Sequence, residues 1–142
     1  MYNFKVRVNT INVIKSHSTP NFRARLIMPQ KEETCKLAGN VCAEHLEIAR
    51  PMIERIANGT NDLELIRVTP SLIKDTKYSQ IQFDVLSKKG TSLTKVLNEL
   101  QVYKEMPVER PLHKHIIDAL IDTIGLVRMR EAILAGMKTL KR

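Results

Sequence analysis

The chain has no tryptophan, only two cysteines and only five glycines among its 142 residues. These glycines do not form a phosphate-binding loop, a dinucleotide-binding turn or a nucleophile elbow, so the usual signatures of nucleotide-dependent enzymes and serine hydrolases are missing. No run approaches the ~18 apolar residues that a membrane-spanning helix needs, and the first residues lack the charged and apolar regions of a secretory signal. The sequence therefore predicts a soluble, intracellular protein, in the cytoplasm or within a virion or nucleoprotein particle, that does not contact membranes.

The few cysteines and histidines do not have the spacing of a metal site. Cys35 and Cys42 lie seven residues apart in one predicted helix, or ~10 Å by the helical rise, which is too far for a disulfide. His45 follows Cys42 by three residues, but a structural zinc site normally needs a second ligand pair. We therefore predict no metal and no cofactor, with Cys42 as a buried thiol and His45 as a hydrogen-bonded histidine. His113 and His115 are two residues apart, point to different sides of a helix and are predicted to be surface residues.

What the sequence does have is positive charge. Lysine and arginine outnumber aspartate and glutamate by 23 to 15, which gives a formal charge of +8. An excess of positive charge is evidence about binding partners and says little about the fold. Polyanions are the expected partners, nucleic acid first and acidic protein surfaces second. The length and the ordinary apolar content predict one folded domain spanning residues 1–142.

Alternating residues near the N terminus predict a β-hairpin with one cationic face. Apolar and polar residues alternate over 2–8, the phase flips near Asn9 and Thr10, and a β-bulge there would keep one face buried. A polar turn over residues 15–20 leads to a second alternating run over 21–28. The bulge would gather four cations on the open face: Lys5, Arg7, Arg23 and Arg25. These side chains suit phosphate oxygens, and without aromatic neighbours they are expected to contact nucleic-acid backbone and not bases. The alternative is that this face is simply exposed to solvent and that its positive charge serves to prevent aggregation of the sheet.

The remaining periodicities predict an α+β fold. Residues 31–57 form a helix with a kink at Pro51, closed by Asn58 and Gly59. Residues 63–68 and 78–86 are strands, residues 93–103 an amphipathic helix, and a last helix begins at Leu112. The order β-β-α-β-β-α-α predicts an antiparallel sheet of two β-hairpins with helices on one face.

The last helix is longer than a small core requires. Its apolar pattern can be extended past Gly125, where a bend could occur, and the helix over 112–142 is expected to reach a partner. The predicted partner-binding residues are Leu126, Met129, Ile133 and Met137. Five cations near its end either complement the helix dipole or dock on nucleic acid or a partner groove: Arg128, Arg130, Lys138, Lys141 and Arg142.

The carboxylates are scattered without an acid–base pair, so no catalytic residue is nominated. The leading hypothesis is a non-enzymatic structural component of a larger nucleoprotein particle, virion-like or ribosome-like, with other protein subunits as partners. One alternative is a free-standing, sequence-nonspecific nucleic-acid-binding regulator that uses the same cationic face. The other is a small enzyme whose site assembles from distant residues and would appear as a deep polar pocket.

Overall fold

The computed structural model describes residues 23–76, 78–101 and 112–140. Within these ranges the elements in chain order are β1 (Arg25–Ile27), α1 (Lys31–Ala38), α2 (Asn40–Gly59), β2 (Leu63–Leu72), β3 (Tyr78–Ser87), β4 (Ser92–Gln101) and α3 (Leu112–Leu140). The predicted α+β class is confirmed.

The four strands form one mixed sheet in the order β1-β2-β3-β4. β1 lies parallel to β2, with Leu26 opposite Ile66, whereas the β2–β3 and β3–β4 pairs are antiparallel. The prediction of a purely antiparallel sheet was wrong, because α1 and α2 form a crossover that returns the chain in the same direction. The first strand of the predicted N-terminal hairpin lies outside the described residues.

The segment after Gly90 was predicted as a helix over 93–103, and it is strand β4 over 92–101. Leu93 and Leu97 are four residues apart, a spacing that suits both one turn of helix and two repeats of a strand. Both lie opposite inward-facing residues of β3. Val96 is the residue that separates the two interpretations, because it lies opposite Gln82 and is exposed on the other face of the sheet.

Gly39 divides the predicted long helix into α1 and α2. Its backbone has φ 90° and ψ 168°, a conformation that essentially only glycine adopts. Beyond it, α2 continues through Pro51 to Gly59. Asn58 and Gly59 belong to the helix itself and do not cap it, contrary to the prediction. The Thr60 hydroxyl caps the end instead, donating to the carbonyls of Ile56 and Ala57 at 3.0 and 3.2 Å.

The helices cover one face of the sheet. Along β3 every second residue is buried, from Ser79 to Ser87, and Phe83 at the centre is fully buried. Most buried apolar residues of the described chain form a single cluster that joins the sheet to α2 and α3. α3 runs without interruption through Gly125. Within the described ranges, none of the helices combines the length and apolarity that crossing a membrane would require.

Candidate functional site

The C-terminal half of α3 carries large apolar side chains that the core does not use. Five of them, which we call the α3 stripe, are between 40% and 86% exposed: Leu126, Met129, Ile133, Met137 and Leu140. At about 100° per residue they occupy an arc of ~80°, centred about 120° around the helix from the buried residues of the same helix. Four of the five are the predicted partner-binding residues, so the structure places these on one open surface, and their binding role stays a prediction.

Polar contacts fix this half of α3 on the sheet. Arg128 donates two hydrogen bonds to the carboxylate of Asp62, at 2.7 and 2.9 Å, and these bonds hold the pKa of Asp62 below its usual value. Three residues further on, the Ser87 hydroxyl donates to the carboxylate of Glu131. The stripe therefore lies on a helix with a defined orientation, although its own side chains face outward.

A shallow groove of about 290 Å³ runs beside the stripe. It is lined by Leu93 of β4 and by five residues of α3: Leu126, Met129, Arg130, Ile133 and Leu134. Four of these, 126, 129, 130 and 133, have the spacing of the four residues that surround a hole in helix–helix packing. The surface can therefore receive an apolar side chain.

A second open surface is the face of the sheet opposite the helices, which we call the outer sheet face. Arg25 and Arg67 are exposed on it, on neighbouring strands β1 and β2. The alternation of β2 explains Arg67, because Ile66 and Val68 on either side of it are buried. Arg67 was not among the predicted site residues, and the apolar residues on either side of it were the signal that could have identified it.

The outer sheet face also has one acidic residue next to these arginines. Asp84 lies directly opposite Arg67 in the β2–β3 register. Its carboxylate accepts hydrogen bonds from the Thr94 hydroxyl at 2.5 Å and from the Gln82 amide at 3.2 and 3.3 Å. The cationic character of this face is therefore strongest toward β1 and weakens toward β4.

The predicted cationic face is described only in part. Lys5 and Arg7 lie outside the described residues. Arg23 and Arg25 are exposed, as the alternation predicted, and line a cleft of about 610 Å³ between β1 and the end of α2. Glu54 and Asn58 contribute polar groups to the same cleft. The β-bulge that would gather all four cations on one face lies outside the described residues and stays a prediction.

Two histidines meet where α2 and α3 pack together. Among the described residues, neither His45 Nδ1 nor His113 Nδ1, both buried, has a hydrogen-bond partner, so the described chain does not supply the hydrogen bond predicted for His45, and His113 is half-buried and not fully exposed. Burial lowers the pKa of His45, and the charge of nearby His113 lowers it further, while Glu44 acts in the opposite direction. Close by, Cys42 is buried as predicted, and burial raises the pKa of its thiol despite a hydrogen bond with Ser79.

We expect the free energy of unfolding to decrease as the pH falls below about 6.5, the ordinary pKa of histidine. Unfolded His45 then binds a proton that the folded protein, with its lowered pKa, accepts only at a lower pH. Urea unfolding at pH 8, 7, 6 and 5 measures the effect, and His45→Gln should reduce its slope. His115→Gln is the control on the same pair of helices. Parallel curves for His45→Gln and the wild type would contradict this assignment.

The described residues contain no group of three or more histidine, cysteine or acidic side chains placed to hold a metal ion. Cys35 and Cys42 are free thiols. No protein-family model matches this chain, and neither the curated proteins nor the solved structures contain a significant match.

Proposed function

We propose that this protein is a non-enzymatic subunit of a larger nucleoprotein assembly. The observation that carries the proposal is the α3 stripe, in which five large apolar side chains lie open along about four turns of one helix. Scattered exposed apolar residues are ordinary, but a contiguous row on a rigid helix is typical of protein–protein contact. The formal charge of +8 supports nucleic acid, or an acidic protein surface, as a further partner.

The orientation of α3 supports a role in assembly. Its ion pair with Asp62 and its hydrogen bond with Ser87 tie it to the ends of two strands. A surface held in this way loses little conformational freedom on binding, which favours affinity. A helix whose only role was to complete the core would not need apolar residues along this side.

A second candidate function, a free-standing nucleic-acid-binding regulator, is favoured by the outer sheet face. Arg25 and Arg67 are exposed there on neighbouring strands, diagonally placed because Arg25 lies opposite Leu65 and Arg67 opposite Ile27, and arginine binds phosphate oxygens bidentately. Each phosphate contact releases counterions, so that binding weakens as salt is added. Such a surface recognises charge and shape without reading sequence.

The salt dependence of binding tests this use of the arginines. For a DNA duplex of about 30 base pairs, we expect Arg25→Gln with Arg67→Gln to reduce the slope of log K against log salt by about two units, since each contact contributes ~0.9. Fluorescence anisotropy between about 50 and 300 mM salt gives the slope. Adding Lys5→Gln, Arg7→Gln and Arg23→Gln tests the remaining cations of the predicted face.

The matched control removes the same charge from the helix-covered side of the molecule. Lys36 of α1 and Arg55 of α2 are both exposed cations, so Lys36→Gln with Arg55→Gln should change the slope little. Equal slopes for the two double variants would mean that only net charge acts and would remove the outer sheet face from consideration.

The identity of what copurifies with the untagged protein from its native source tests the assembly itself. Sister subunits together with nucleic acid are the expected result. Nucleic acid alone would favour the regulator, and a protein that elutes as a bare monomer at cellular salt would overturn both functions.

A further inference from the structure

We infer that the α3 stripe is the contact between two copies of this chain, which pair through their α3 helices in antiparallel orientation. This inference rests on the proposed function, because it names one of the partners that the assembly would contain. The helix that packs on the α3 stripe is α3 of a second copy. The shape of the stripe, its charges and the length of the contact are the grounds for this inference.

The stripe has the repeat of a helix–helix seam. Leu126, Ile133 and Leu140 recur every seven residues, and Met129 and Gly136 occupy the intermediate positions. This is the pattern by which two helices bury a shared apolar line. The groove beside it, around residues 126, 129, 130 and 133, supplies a hole into which a side chain of the partner can insert.

Two glycines give the helix a surface that complements its own large side chains. Gly125 and Gly136 lie on the border of the stripe, and an added Cβ at either would meet no atom within 4 Å. Glycine inside a helix costs stability and packs against nothing here, so nothing in the described chain requires it. In an antiparallel pair centred near residue 131, Leu126 of one copy lies over Gly136 of the other. In the same register Met129 lies against Ile133 of the other copy.

The helix dipoles and one seam charge favour the antiparallel arrangement over the parallel one. Asp122 is 64% exposed, forms an ion pair with Lys95 of its own chain at 3.5 Å and lies on the same line of the helix as the stripe. Parallel pairing would place Asp122 against its own copy and align the two helix dipoles, whereas antiparallel pairing places Asp122 opposite Leu140 of the other copy and opposes the dipoles.

The extent of the seam predicts a reversible dimer. From Asp122 to Leu140 the helix is ~28 Å long. Specific interfaces bury roughly 30 Å² per participating residue, so about fifteen residues, including Leu93, would bury ~450 Å² per copy. The total of ~900 Å² is below the ~1,000 Å² that stable interfaces exceed and lies in the range of weak, transient contacts, so the dimer is expected to dissociate readily on dilution.

The test is sedimentation velocity of the full chain from about 1 to 200 μM. We expect a monomer–dimer equilibrium that Ile133→Glu weakens by about tenfold or more. Ile48 of α2 is the matched control, since Ile48 and Ile133 are both isoleucines on helices and both 56% exposed. Ile48→Glu should leave the equilibrium unchanged, and circular dichroism should report the same fold for both variants.

Gly136→Leu tests the register through effects of opposite sign. The larger side chain should raise the thermal stability of the monomer, because it improves helix propensity in open space. It should weaken the dimer severalfold, because Leu126 of the partner occupies that space. A variant that raises both would overturn the antiparallel register.

Cysteine crosslinking separates the two orientations, in a background of Cys35→Ser. A mixture of Met129→Cys and Ile133→Cys chains should form the mixed disulfide faster than either chain forms its own, whereas a parallel pair would give the reverse. A monomer at all concentrations, or a dimer insensitive to Ile133→Glu, overturns this inference. Either result leaves the proposed function to the copurification experiment, which overturns the assembly role when no other protein subunit is found with the chain.

Discussion

Replacing Phe83 with alanine should lower the free energy of unfolding by about 3–5 kcal/mol, the largest effect we expect from a single substitution. Phe83 lies at the centre of β3 and is fully buried, with Val68 opposite it on β2 and Lys95 opposite it on β4. α3 packs over the same strand, so the missing ring would leave a space that the strands and the helix can close only in part.

Urea unfolding of Phe83→Ala against the wild type measures the loss, and Tyr78→Ala is the control. Tyr78 is an aromatic residue of the same strand that is 38% exposed at its end, and its removal should cost less than about 1 kcal/mol. Similar losses for the two variants would mean that Phe83 is not at the centre of the core.

The second large effect is expected at Gly39, where Gly39→Ala should cost about 1–3 kcal/mol. The φ of 90° and ψ of 168° at this position suit glycine and strain any residue with a side chain. Alanine would also favour the continuation of α1 and α2 as one helix, whereas α1 packs against β2 in this structure.

Thermal unfolding of Gly39→Ala and Gly59→Ala separates strain from helix propensity. Gly59 is the last residue of α2, lacks a positive φ and has open space where a Cβ would be. Alanine there should raise stability by about 0.5–1 kcal/mol. If Gly39→Ala were stabilising too, the turn between the two helices would not depend on glycine.

The elements that were predicted correctly are those whose hydrophobic periodicity fits only one type of secondary structure. The alternating pattern of β3 fits only a strand, and the apolar face of α2 fits only a helix. The structure contains both elements. β4 was missed because a four-residue spacing between Leu93 and Leu97 satisfies either structure. Gly39 was missed because the apolar phase continues across it, so that only its backbone angles reveal the break.

Strand partners could not be predicted because hydrophobic alternation shows which side of a strand is buried and not which strand lies beside it. The parallel β1–β2 pair depends on how α1 and α2 dock, which is a property of the packed structure. Four of the five stripe residues, all except Leu140, were predicted because the apolar pattern of α3 continues beyond the core. Arg67 was not, since its strand was recognised without working out which side chains point outward.

The parallel pairing of β1 has a consequence for the order in which the chain folds. β2, β3 and β4 are joined by short connections and can pair as soon as they are formed, whereas Leu26 and Ile66 meet only after about forty intervening residues are closed into a loop. The three-stranded meander can therefore form early, and β1, only three residues long, docks late and opens first. Of the described strands, β1, which presents Arg25, is therefore expected to form and open together with the crossover helices.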